Sequence, residues 1–267
     1  MAHFSAAEAA ALIAVPGERD DKYSRGVLGL VTGSNAYSGA AVLSAEAALR
    51  TGVGMLRYVG DEAPALMVLA RRPEVVWGTG RVQAWVVGSG MVDDRNGAVA
   101  AALDEGVPVV IDAGALDLLE RRTGPAVITP HAGELSRLLG VSRETIEADP
   151  ARAARDAADD LGVTVLLKGH TTYVAGPGGM LSTQSAPTWL ATAGAGDALA
   201  GILGALVATH TAEIERDERM LTRLAATASV IHGLAAHRAS QGGPFTILDL
   251  CEAISPTVAE LVARRAV

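Results

Sequence analysis

The stretch with the most chemical potential is Ala191-Thr-Ala-Gly194-Ala195-Gly196-Asp197, which leads directly into a helix expected over Asp197–Thr209. Glycines at 194 and 196 let the backbone turn without a Cβ clash, so the amides of Gly194, Ala195 and Gly196 can point into one cavity. The helix behind them adds unpaired N–H groups and the positive end of its dipole, and together these make an anion site. Asp197, at the helix entrance beside a bound phosphate, is placed to take a proton from a substrate hydroxyl. The competing reading is structural: Asp is a favoured N-cap, and glycines often precede helices.

Four further groups fall at the ends of expected strands. Lys168-Gly169-His170-Thr171-Thr172 follows the strand Thr164–Lys168, where α/β sheets bind ligands, although a strand-end lysine can also be merely solvated. Ile128-Thr129-Pro130-His131-Ala132-Gly133-Glu134 ends a strand at Pro130 and sets His131 at the same edge, either to contact a ligand or to serve the turn. Thr32-Gly33-Ser34 with Ser38-Gly39-Ala40-Ala41 is a small-residue loop and helix start that admits a ring or sugar, without the spacing of a P-loop. Gly88-Ser89-Gly90 and Asp112 complete the set. Trp189 is read as covering an adenine or packing in the core, and Cys251 as a small apolar residue on the last helix.

The elements that must position these residues alternate. Strands are expected at Val27–Thr32, Met55–Val59, Ala84–Val87, Pro108–Asp112, Ala126–Thr129 and Thr164–Lys168. Helices are expected at about 40–51, 96–105, 133–139 and 151–161. Runs such as VPVVID and TVLLK are apolar on consecutive positions, the pattern of parallel strands covered on both faces. A hairpin is expected from Thr171–Ala175 and Met180–Ser182 across a Gly-Pro-Gly-Gly turn, followed by helices at 197–209, 219–240 and 247–263. The charged stretch Arg143–Asp160 reads as a solvated helix face. No repeat or linker interrupts the chain, so a single α/β domain over 1–267 is expected.

Composition narrows the function. The chain has 267 residues, 49% of them apolar and only nine aromatic, so its core must be built from Ala, Val, Leu and Ile. A formal charge of −8 argues against a nucleic-acid or membrane-surface binder, but leaves room for a small phosphorylated ligand held by backbone amides and one lysine. One cysteine excludes an internal disulfide and a CxxC metal or redox site. The first residues lack the basic start of a signal peptide, and the longest uncharged helical stretch, Ala198–Thr209, is too short to span a bilayer. A cytoplasmic protein is expected.

Taken in order, VTGSNAYSGAAVLSAEAALRTGVGM, VPVVIDAGAL, VITPHAGELSRLLG, VLLKGHTT and ATAGAGDALAGILGAL resemble the NAD(P)H-hydrate dehydratase family, within the ribokinase-like superfamily. The resemblance runs from about Tyr23 to Ser240. It implies a three-layer sandwich with a mostly parallel central sheet. It also implies repair of NADH or NADPH that has added water to its nicotinamide ring, with ADP consumed, AMP and phosphate released, and Mg2+ assisting. Eukaryotic members use ATP instead. On matching positions it implies that Lys168, Gly169, His170, Thr171, Thr172 and Gly196 contact the adenine nucleotide. Ala40, Gly90, His131 and Asp197 contact the hydrated dinucleotide, with Asp197 as base, while the amides of Gly194, Ala195 and Gly196 stabilise the transferring phosphoryl group. No protein-held metal ligands are expected. A homotetramer is implied, and a separate epimerase domain at the N-terminus is not expected.

This chain departs from the family in two places, reading Gly88-Ser-Gly90-Met-Val92 where relatives read GPGLG, and Ser185-Ala-Pro-Thr-Trp189 where they are rich in Gly and Asn. Two alternatives share the same glycine motif. One is a small-molecule kinase acting on a vitamin-precursor alcohol, and the other is a nucleotide sensor without catalysis.

Overall fold

The computed structural model describes residues 2–92, 97–184 and 186–266. Strands whose every residue is apolar need cover on both faces, and the molecule supplies it with helices on either side of one sheet. The strands are β1 (Ala2–His3), β2 (Val27–Val31), β3 (Met55–Tyr58), β4 (Val76–Trp77), β5 (Ala84–Val87), β6 (Val109–Ile111), β7 (Ala126–Ile128), β8 (Thr164–Leu167), β9 (Thr172–Gly176) and β10 (Gly179–Thr183). Among the described residues they form a ten-stranded sheet in the order β1-β10-β9-β8-β7-β6-β5-β2-β3-β4. Strands β2 to β8 pair in parallel, β9 and β10 form an antiparallel hairpin beside them, and β1 joins β10 in parallel.

The helices are α1 (Ala6–Ala11), α2 (Ser38–Thr51), α3 (Glu62–Arg71), α4 (Ala98–Asp104), α5 (Ala132–Leu139), α6 (Arg143–Ala148), α7 (Pro150–Leu161), α8 (Ala195–Thr209), α9 (Thr211–Arg216), α10 (Arg219–Ser240) and α11 (Ile247–Ala263). Alternate strand residues serve opposite layers, as a pleat requires. Leu28, Leu30, Val86, Val110, Val127 and Leu166 face α1, α2, α8, α10 and α11. Val27, Val31, Val87, Ile111, Ile128 and Val165 face α4, α5 and α7. Helix α8 is buried from Ala198 to Ala208, as its uniformly apolar sequence demands, so its first turn is fixed against the sheet edge.

The expected strands and the hairpin are present to within a residue or so at their ends. Helix α8 starts at Ala195, two residues before the expected position. The charged stretch 143–160 is two helices, because Asp149 caps a new start by accepting from the Arg152 amide at 3.0 Å and Pro150 opens α7. That stretch is not wholly a solvated face, since Ala154, Ala157 and Ala158 of α7 are buried. The helix expected over 96–105 is α4, and Asn96 lies outside the described residues. Among the labelled elements five were not expected: β1, α1, whose Ser5 and Glu8 form a capping box, α3, β4 and α9. Among the described residues no helix is long and apolar enough to cross a membrane.

Candidate active site

The C-terminal edge of the parallel strands gathers the reactive residues. Asp112, at the end of β6, is buried, and its carboxylate is filled from three sides. Lys168 Nζ donates to Oδ1 at 2.9 Å, Thr129 Oγ1 donates to Oδ1 at 2.7 Å, and Ser89 Oγ donates to Oδ2 at 2.8 Å. Burial alone would raise its pKa, but the Lys168 charge and these hydrogen bonds overcome that and hold it below the ordinary carboxylate range. Lys168, itself partly buried, is disfavoured as a charge by desolvation, but Asp112 and Glu134 outweigh that cost and hold it above the ordinary lysine range. Its Nζ also lies 3.7 Å from Glu134 Oε2. Ala113, just after Asp112, takes a left-handed backbone (φ 44°), a conformation that costs a non-glycine residue energy.

Asp197 is placed differently. It sits in the first turn of α8, and the N-cap of that helix is Gly194 with φ 91° and no side-chain cap bond. The capping role is therefore not the one Asp197 plays. A β-carbon at Gly194 would also lie 2.6 Å from Leu43 Cδ1 of α2, so the turn needs glycine both for conformation and for room. The Asp197 carboxylate is half-buried and accepts no hydrogen bond among the described residues. Burial first, and then the Asp112 charge, push its pKa up to about 6 against the opposing pull of Lys168. Lys168 itself reaches the helix mouth, since a β-carbon on Gly196 would stand 3.4 Å from its Nζ.

His131 is the N-cap of α5. Its Nδ1 accepts from the amides of Gly133 and Glu134 at 3.0 and 3.2 Å, and the Glu134 carboxylate accepts from the His131 amide at 2.8 Å. The structural role considered for this histidine is thus real, and it leaves Nε2 on an exposed ring. His131 also pairs with Lys168 as a parallel bridge, which puts both at the one edge the sequence implied.

Two chambers flank the segment after β8. The first, about 450 Å³, is lined by Lys168, Gly169, His170, Thr172, Ala195 and Gly196, with walls from Pro187, Leu190 and Leu199 and a polar corner of Thr183, Ser229 and His232. The second, about 430 Å³, is lined by His131, Thr171, Tyr173 and Arg143, and it shares Lys168, Gly169 and His170 with the first. Of the six residues grouped as nucleotide contacts, five border the first chamber, whereas Thr171 faces the second. Ala40, Gly90 and Asp197 border neither chamber. Ala40 and Gly90 pack on each other, with a β-carbon at Gly90 falling 2.2 Å from that of Ala40. Ser34 Oγ donates to the Gly90 carbonyl at 3.0 Å and the Gly33 amide to the Ser89 carbonyl at 2.7 Å. The loop that holds this pair is therefore tied to the Asp112 carboxylate through Ser89.

Trp189 is about half exposed and borders neither chamber, so it is not a core residue, although its neighbours Thr188 and Leu190 line the first. Cys251 is buried on α11 with its thiol pushed up to about 12 by desolvation, in keeping with an inert apolar role. His232, Ser229 and Thr183 were not singled out in the sequence, where they read as ordinary residues of a long helix and a hairpin. Among the described residues no group of three His, Cys, Asp or Glu side chains is arranged to hold a metal ion.

Comparison with known proteins brings these features together. The fold is ribokinase-like. A crystal structure of ADP/ATP-dependent NAD(P)H-hydrate dehydratase from Bacillus subtilis, co-crystallised with ATP/Mg2+, superposes with a TM-score of 0.87. It covers 97% of this chain and 98% of that one at 24% identity, which speaks to the fold alone. The bifunctional NAD(P)H-hydrate repair enzyme Nnr of Mycobacterium tuberculosis is 47% identical over 77% of this chain, which spans about half of that relative's length (46%). The ADP-dependent (S)-NAD(P)H-hydrate dehydratase of Neisseria meningitidis is 36% identical over 82% of this chain and 79% of its own length. The family model for NAD(P)H-hydrate dehydratase matches residues 28–256. Matched from β2 into α11, the chain belongs to the NAD(P)H-hydrate dehydratase family.

Proposed function

We propose that this chain is an ADP-dependent hydro-lyase that returns the S-epimer of hydrated NADH or NADPH to the reduced dinucleotide, releasing AMP and phosphate. The observation that carries the reading is the Asp197 carboxylate. Among the described residues it stands without a hydrogen bond in the first turn of α8, within the electrostatic reach of the Asp112–Lys168 pair whose lysine lines the first chamber. With its pKa at about 6, Asp197 is ionised at neutral pH, yet more basic than an ordinary aspartate.

Asp197 takes the proton from the ring hydroxyl as that oxygen attacks the β-phosphorus of ADP. The bond from the β-phosphorus to the bridging oxygen breaks and AMP departs with the electron pair. The phosphate ester then leaves the ring carbon as phosphate, and loss of a proton from the adjacent carbon restores the double bond. Lys168 and the amides of Gly194, Ala195 and Gly196 face the charge that spreads over the transferring oxygens. Lys168, Gly169, His170, Thr172 and Gly196 hold the nucleotide from the first chamber, with Thr171 at the back of the same segment. Ala40, Gly90 and His131 contact the hydrated dinucleotide.

Mg2+ belongs with the diphosphate as part of the co-substrate, because Asp112 is already saturated by donors and Glu134 is engaged by Lys168 and the α5 cap. Bound there, it neutralises phosphate charge. The working form in this reading is a cytoplasmic homotetramer in which residues 1–267 make one domain.

The test is incubation with hydrated NADH, Mg2+ and ADP. Recovery of the near-ultraviolet absorbance of the reduced ring with matching AMP is expected, and no recovery with either ADP or ATP overturns the reading. A stable phosphorylated product in place of AMP and phosphate would mark a kinase.

A further inference from the structure

The polar corner of the first chamber has no part in the chemistry above, and it contains an unsatisfied group. His232 is 7% exposed, and its Nε2 is buried with no hydrogen-bond partner, which folded proteins rarely leave unexplained. It lies one turn after Ser229 on α10, so both side chains point the same way. Ser229 Oγ shares a 2.6 Å hydrogen bond with Thr183 Oγ1 at the end of β10. All three border the chamber that Lys168 and Gly196 line at its other side.

Strand register gives the scale. Leu167 pairs with Tyr173 and Thr172 pairs with Thr183, so Lys168, Thr172 and Thr183 form one row across three strands. Two strand spacings separate the ends of that row, about 10 Å. A diphosphate anchored at Lys168 therefore sends its nucleoside toward Thr183, across the apolar wall of Pro187, Leu190 and Leu199 that suits a base.

We infer that His232, with Ser229 and Thr183, forms the nucleoside-recognition corner of the co-substrate site and hydrogen-bonds the ribose or base of the nucleotide bound at Lys168. This rests on the proposed use of the first chamber by ADP. The imidazole is neutral across the physiological range, because burial pushes its pKa down to about 4, against a hydrogen bond with the Ala195 backbone and with a lesser push from the Lys168 charge. With one ring nitrogen engaged by the Ala195 backbone, Nε2 of the neutral ring is left to accept from a ribose hydroxyl or a base N–H.

Calorimetric titration of ADP and, separately, of inorganic pyrophosphate tests this. His232→Phe, which keeps the ring volume, should weaken ADP at least about tenfold and leave pyrophosphate within about twofold of wild type. His232→Gln should recover most of the ADP affinity, and Ser229→Ala should show a smaller loss of the same pattern. In turnover assays, KM for ADP should rise while kcat and KM for the hydrated dinucleotide hold. Unchanged ADP binding in His232→Phe overturns the inference, as does an equal loss of pyrophosphate, which would mean that the histidine only shapes the α8 turn. Because the titration needs no catalysis, a wild type that binds ADP but turns nothing over defeats the proposed activity and leaves this inference standing. A wild type that does not bind ADP defeats both. If the Phe variant does not fold, Ser229→Ala with Thr183→Val carries the same test.

Discussion

Two buried acids, Glu46 within a helix and Asp112 at a strand end, show how this molecule separates holding from reacting. Glu46, fully buried on α2, receives Arg50 and Arg71 at 2.8 and 2.6 Å and also Arg72, tying α2 to α3. Burial would raise its pKa, yet the three guanidinium groups hold it below the ordinary range. Asp112 is as thoroughly satisfied, by Lys168, Thr129 and Ser89. The difference lies in what stands beside each. Near Glu46 is an inert thiol, Cys251, whereas near Asp112 is Asp197, a carboxylate with no donor among the described residues. A saturated acid close to an unsaturated one raises the basicity of its neighbour, and a saturated acid surrounded by arginines only fastens helices together.

The largest effect that would break this comparison is on turnover. Asp197→Asn should lower kcat by at least about 10²-fold with nucleotide affinity largely kept, as loss of a general base would. Titrations that show activity retained would remove Asp197 from the chemistry. Glu46→Gln should do the reverse, with a loss of about 3 kcal/mol in denaturant unfolding and unchanged kcat per folded molecule. A lowered kcat there would mean that α2 transmits strain to the edge.

A smaller effect appears in stability against pH. The folded pKa of Asp197, about 6, lies above its unfolded value, so ionising it disfavours the folded state. That penalty is absent below about pH 4, grows as pH rises, and is complete above 6. Asp197→Asn should therefore stabilise the protein at pH 7 by on the order of 2 kcal/mol, and the gain should vanish at pH 4. In the wild type, kcat/KM should fall about tenfold per pH unit below 6 and level off above it, because only the ionised form accepts the proton. The smallest effect is at the α5 cap, where His131→Ala should cost about 1 kcal/mol of stability in melting experiments.

Most of the sheet could be read from the sequence, because strands covered on both faces leave unbroken apolar runs such as VPVVID. The edge cluster could also be read, since a parallel sheet brings its strand ends together whatever the separation along the chain. The start of α8 was misplaced because Ala195 and Gly196 are small residues that read as loop, yet they take helical backbone once Gly194 has made the turn. Helices α3 and α9 have mixed, weakly periodic sequences and hold their form through tertiary packing, which propensity does not record. Asp112 was noticed only as a strand-end residue, because its weight comes from three donors on separate strands and loops. His232 left no local signal at all, since a histidine within a long alanine-rich helix carries no mark of the chamber it borders.

Lys168, Gly169 and His170 line both chambers. Two of the three, Lys168 and His170, carry side chains that an occupant of either chamber meets, so any coupling between two occupants has those side chains as its common contact. Linkage makes that coupling reciprocal: whatever factor the first molecule adds to the affinity of the second, the second returns to the first. Shared residues of this kind would let one ligand report its presence to another at a distance of a single side chain.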